Sequence, residues 1–132
     1  TVMIPDRRGN NRIDTLRNIV RDPRVSLLFL VPGVGETLRI NGRAEISVDP
    51  KLCASFDMNG KTPRSVIIVT ADRVYFQCQK ALARSRLWDP KAQVERKELP
   101  TAGKLLQSLS RDEFDGEAYD RNYPERLKKT IY

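Results

Sequence analysis

The stretch Thr37–Val48 reads TLRINGRAEISV, and its alternation decides the fold class. Leu38, Ile40, Ala44, Ile46 and Val48 alternate with Thr37, Arg39, Asn41, Arg43, Glu45 and Ser47. A period of two belongs to a strand with one face on a core and the other toward solvent. Half-buried strands of this kind are the usual material of antiparallel sheets. Gly42 stands in the middle of the run, where a bulge or a close backbone approach is expected.

Working outward, Val25 to Val31 reads as a mostly apolar strand, turned back by Pro32-Gly33-Val34-Gly35. Before it, Leu16, Ile19 and Val20 recur at helical spacing, with Asp14 as the expected N-cap and Asp22-Pro23 as the stop. Pro5 to Asn11 is a polar loop, and Thr1 to Ile4 reads as the end of a strand. Downstream, Asp49-Pro50 places an acceptor at an N-cap and proline at the first helical position, opening a helix to about Phe56. Asn59-Gly60 is a turn. Val66 to Thr70 predicts a buried strand, Ala71-Asp72-Arg73 an interruption, and Val74 to Phe76 a second short strand. Helices are expected over Gln77 to Leu87, Leu99 to Leu109 and Ala118 to Ile131, with an acidic linker from Asp112 to Glu117. The fold class is therefore mainly β with helices (α+β), antiparallel, with residues 90–132 a helical extension of a core in residues 1–89.

Composition narrows the chemistry. The 132 residues carry 24 Lys+Arg against 17 Asp+Glu and no histidine. Without histidine there is no Ser-His-Asp triad, no Cys-His dyad and no His-ligated zinc. Cys53 and Cys78 are too few for a thiolate zinc site or an iron–sulfur cluster, so no metal is expected. Redox or group-transfer work would need a bound organic cofactor. Both cysteines have apolar or aromatic neighbours and are expected as buried free thiols, which suits a reducing cytoplasm. The longest apolar run, Val25 to Val34, is broken by Ser26, Pro32 and Gly33 and is too short to span a bilayer. The chain opens on Thr1-Val2-Met3-Ile4, which reads as a chain lacking upstream residues.

The positive charge is uneven. Residues 1–48 hold eight arginines, no lysine and five acids. Arginine suits bidentate recognition of phosphate and carboxylate. No run of adjacent Lys/Arg exceeds two, which speaks against a basic nucleic-acid tract.

Three constellations could carry chemistry. Arg7, Arg8, Gly9, Asn10, Asn11, Arg12, Asp14 and Thr15 form a glycine-containing loop feeding a helix N-terminus, where free N–H groups favour an anion. The spacing is neither a P-loop nor a dinucleotide fingerprint, and a solvated loop is the alternative. The polar face of the long strand, Thr37, Arg39, Asn41 and Arg43, could line a groove for a planar heteroaromatic or be an ordinary outward face. Along Cys78 to Trp88, helical spacing places Lys80, Arg84 and Trp88 one turn apart, suited to a flat anion, or else a solvated face with Trp88 in the core.

Taken together, "PDRRGNNRIDTLRNIVRDPRVSLLFLVPGVGETLRINGRAEI" and the C-x-K-A-x-x-R-S-x-L-W stretch of Cys78 to Trp88 resemble the pyridoxamine 5'-phosphate oxidase-related FMN-binding split barrels. The likeness is greatest to an uncharacterised PPOX-type flavoprotein branch and covers roughly Thr1 to Pro90. It implies a split β-barrel with its first strands missing from this chain, FMN as cofactor, and a homodimer with two sites at the interface. It makes Asn11, Arg12 and Thr15, with Arg7 nearby, the phosphate-holding residues, and Thr37 and Arg39 the ring contacts. Lys80, Arg84, Ser85 and Trp88 would approach FMN from the second subunit. Thr37 stands where the oxidases have glutamine, and their Arg-x-His substrate element has no counterpart, so the namesake reaction is not implied. The implied function is an FMN-dependent oxidoreductase of unknown small-molecule substrate. The competing readings are a non-catalytic flavin- or haem-handling protein of the same fold and a basic nucleic-acid-binding module.

Overall fold

The computed structural model describes residues 1–9, 12–111 and 113–131. Four antiparallel strands form from the segments with period-two or β-branched patterns: β1 (Val2–Pro5), β2 (Arg24–Phe29), β3 (Thr37–Ser47) and β4 (Val66–Gln77). They make one curled sheet in the order β1-β4-β3-β2, an α+β half-barrel. The chain divides into a unit Thr1–Pro90, which holds the sheet, and a helical unit Lys91–Ile131.

β4 corrects the expectation of two short strands. Asn41 pairs with Arg73 and Gly42 with Ala71, so Asp72 is one extra residue in a single continuous strand. The polar tripeptide that reads as an interruption is a bulge. Gly42 is what admits it: a Cβ there would sit on the Thr70 carbonyl oxygen.

Register assigns the faces. Val25, Leu27 and Phe29 of β2 share one face with Leu38, Ile40, Ala44 and Ile46 of β3 and with Ile67, Val69, Val74 and Phe76 of β4. Helix α1 (Asp14–Arg21) covers one end of that face, its Ile19 packing with Ala44 and Val69 among Val2, Val25, Leu27, Ile46 and Ile67. Full burial of Val69 on this face contributes roughly 1.5–3 kcal/mol. At the other end Phe29, Leu38, Val74 and Phe76 stay exposed, Phe76 at 75%.

Helix α2 (Pro50–Ala54) starts as its sequence dictates, Asp49 accepting from the Leu52 N–H at 2.8 Å and Pro50 at the first turn. Asn59 and Gly60 both have positive φ in the turn that follows. Helix α3 (Lys80–Ser85) is shorter than expected, because Gln77 still belongs to β4 and Arg86 turns left-handed at φ 53°. Cys53 is buried as expected, whereas Cys78, in the short link between β4 and α3, is exposed.

In the second unit, α4 (Ala102–Leu109) is capped by Thr101 and α5 (Gly116–Thr130) by Asp115. The helices touch at Gly103 and Gly116, where a Cβ on either would strike the other's backbone carbonyl. Asp120 of α5 accepts from the Gly103 N–H at 2.9 Å. A hydrogen bond from the Thr101 side chain, then the Gly103 N–H and the charges of Arg96 and Lys104, hold its carboxyl below the usual range. No described helix is long and apolar enough to cross a membrane.

Candidate functional site

Arg7 leaves β1 and turns its guanidinium onto backbone carbonyls, donating to Phe56 at 2.8 Å and Lys61 at 3.4 Å. Asp6 beside it donates its N–H to the Ser65 carbonyl and accepts from Ser65 Oγ at 3.2 Å. These bonds fix Arg7 at the end of the sheet where Ser47 pairs with Val66. Asn11 lies outside the described residues.

Arg12 and Thr15 stand exposed at the start of α1, Arg12 Nε lying 3.4 Å from Asp14 Oδ2. Ile13, not Asp14, takes the N-cap position, and among the described residues no side chain caps the helix. The helix begins at Asp14 itself, so that carboxylate sits in the first turn, near the positive end of the dipole.

At the opposite end of the sheet, Thr37 is buried, 6% exposed, and pairs with Gln77. Arg39 donates from Nε to Gln77 Oε1 at 2.6 Å. The next residues of β4 run into the Lys80–Trp88 segment, so Thr37, Arg39 and that segment share one end of the sheet. Trp88 Nε1 donates to the Val34 carbonyl at 2.8 Å and ties the turn after α3 to the β2–β3 loop. Gln79 packs on the same loop, where a Cβ at Gly35 would meet it. Ser85 donates to the Leu82 carbonyl within its own helix at 3.1 Å. Lys80 and Arg84 are one helical turn apart and exposed. Trp88 does not extend their row as helical spacing predicts, because Arg86 ends the helix before it.

The structure therefore brings Thr37, Arg39 and the Lys80–Trp88 segment to one end of the sheet and Arg7 to the other. The 11 residues of β3 separate them, roughly 35 Å of strand at about 3.3 Å per residue. Two surface hollows lie elsewhere, one of about 300 Å³ between Phe114 and Arg126 and one of about 260 Å³ between Leu16 and Arg21.

A sequence model of the family described as pyridoxamine 5'-phosphate oxidase matches residues 1–78, β1 through the end of β4. The chain belongs to the pyridoxamine 5'-phosphate oxidase family. Members of this family commonly bind flavin, act in oxidation and reduction, and form dimers. No curated protein and no solved structure matches the chain significantly. The half-barrel agrees with the split barrel of pyridoxamine 5'-phosphate oxidase folds.

Sequence reasoning missed Gln77, Ser26, Arg73 and Tyr75. Ser26 Oγ donates to Asn41 Oδ1 at 2.8 Å. Arg73 and Tyr75 stand opposite Asn41 and Arg39. Partners across strands depend on register, and the bulge shifts that register by one.

Proposed function

We propose that the chain is an FMN-binding oxidoreductase that works as a homodimer on a small-molecule substrate, with FMN at the subunit interface. The observation that carries this reading is the separation of Arg7 from Lys80–Trp88 by the length of β3. A site that uses both ends of the sheet needs a second chain. The exposed apolar row of Phe29, Leu38 and Phe76 offers surface for one.

The donor chemistry fits FMN. Arg12, Thr15 and the first turn of α1 suit its phosphate, with Asn11 and Arg7 nearby in sequence. Thr37 and Arg39 suit the edge of the ring. Gln77 occupies Arg39 Nε and so orients the guanidinium, whose terminal nitrogens would favour negative charge on the ring. Lys80, Arg84, Ser85 and Trp88 would close the site from the second subunit. FMN, when bound, supplies the hydride or electron transfer. The residues bind it, orient it and leave one ring face to the substrate.

Titrating FMN with the full chain tests this. We expect saturable quenching of flavin fluorescence, a dimer mass by light scattering, and affinity about tenfold or more weaker in Arg12→Ala, the effect of losing a charged hydrogen bond. Full flavin fluorescence in the presence of excess protein would overturn the proposal.

A further inference from the structure

The outward face of β2, β3 and β4 is arginine-rich in a way that only the register reveals. Arg24 pairs with Arg43, Ser26 with Asn41 and Asn41 with Arg73, Leu28 with Arg39 and Arg39 with Tyr75. Alternation puts all of these on the face opposite Ile40 and Ala44. Arg73 reaches it because of the bulge. Counting regularly up from the Gly42–Ala71 pair, residue 73 would stand opposite Ile40, on the apolar face. The one extra residue, Asp72, moves it opposite Asn41 instead.

The charges on this face are unequally matched. Asp22 takes Arg24, accepting from its Nε at 2.9 Å and 3.0 Å. The charge of Asp22 also acts on Arg43, without an ion-pair contact, whereas among the described residues no carboxylate pairs with Arg39 or Arg73. Like charges placed directly across strands, as Arg24 and Arg43 are, lower stability unless something offsets them, and Asp22 does so in part. In the next row, beside Arg43 and opposite Arg73, Asn41 has its oxygen occupied by Ser26 Oγ, which leaves its N–H donors to offer. Two exposed guanidiniums flanking an amide donor are an anion-binding set.

We propose that Arg43, Asn41 and Arg73 bind the phosphate or carboxylate group of a small anionic substrate. The site rests on the flavin reading only for its purpose. The Asn41–Arg73 row lies two residues, roughly 7 Å, from the Arg39–Tyr75 row. An anion held there would place the rest of a small molecule beside a ring at Arg39. The set spans about two rows of one sheet, enough for one or two anionic groups. A single strand of nucleic acid needs a track of four or more nucleotides.

Calorimetric titration of the full chain with pyrophosphate, and separately with citrate, tests the site and tells phosphate from carboxylate. Arg43→Gln and Arg73→Gln should each weaken the better anion about tenfold or more. Arg17→Gln, the same charge loss on α1, should change it less than about twofold. Affinity for FMN should stay within about threefold in the two sheet variants. The proposal fails if the wild-type chain binds neither anion, if Arg73→Gln binds as wild type does, or if Arg17→Gln loses as much. It also fails if a single-stranded oligonucleotide binds more tightly than either anion through the same arginines, since the face would then serve a polymer. Anion binding through Arg43 and Arg73 without FMN binding would leave this site standing and overturn only the flavin reading.

Discussion

The indole N–H of Trp88 donates to the backbone carbonyl of Val34 at 2.8 Å, across 54 positions of sequence. The bond holds the turn after α3 against the loop that delivers β3 to Thr37. It therefore couples the third sequence constellation to the second. The first is anchored separately, by Arg7 on the carbonyls of Phe56 and Lys61.

Trp88→Phe keeps an aromatic ring and removes the donor. We expect a loss of about 1 kcal/mol in the urea unfolding free energy, with faster amide exchange in the β2–β3 loop. Unchanged exchange in that loop would show that the bond does not order it.

Gly42→Ala places a methyl group against the Thr70 carbonyl in the middle of the sheet. Backbone hydrogen-bonded on both sides cannot move aside cheaply. The variant should lose about 3 kcal/mol, read as a lower urea midpoint at an unchanged slope. Tolerance without loss would mean that the bulge at Asp72 can relax.

Asp22 makes a pH-dependent contribution. Its carboxyl is lowered from 3.8 to about 2, first by the Arg24 side-chain hydrogen bond, then by the Arg24 backbone N–H and the charges of Arg24 and Arg43. A pKa depressed in the folded state gives stability that is full above the unfolded value and lost as pH falls through the folded one. The stability gap between wild type and Asp22→Asn should be constant above about pH 5, narrow below 3.8 and close near 2. A gap that persists unchanged at the acid end would point to packing rather than charge.

Much of the fold was legible along the chain, because its signals are local. The alternation of Thr37–Ser47 marked the central strand, Asp49-Pro50 the start of α2, Asn59-Gly60 the turn, and Asp22-Pro23 the end of α1. Each depends on side-chain period or backbone preference within a few residues. Gly42 was legible as a position of close approach, though not what it approached. The site was only partly readable. Residue types pointed to arginines, hydroxyls and one indole, and gave no indication that Arg7 and Trp88 lie at opposite ends of a sheet.

The sequence by itself determined the class of chemistry available: no imidazole, two scattered thiols, and arginine as the only base of the first 48 residues. It also determined the family, since the pattern matched over residues 1–78 is a property of residue order. The tertiary structure alone decided which polar groups face together. It joined two apparent strands into β4, exposed Cys78, ended α3 at Arg86 and turned Arg73 to the side of Asn41. The reason is register. A single extra residue, accommodated because Gly42 lacks a Cβ, reverses the faces of everything beyond it, and no local preference in β4 records that shift.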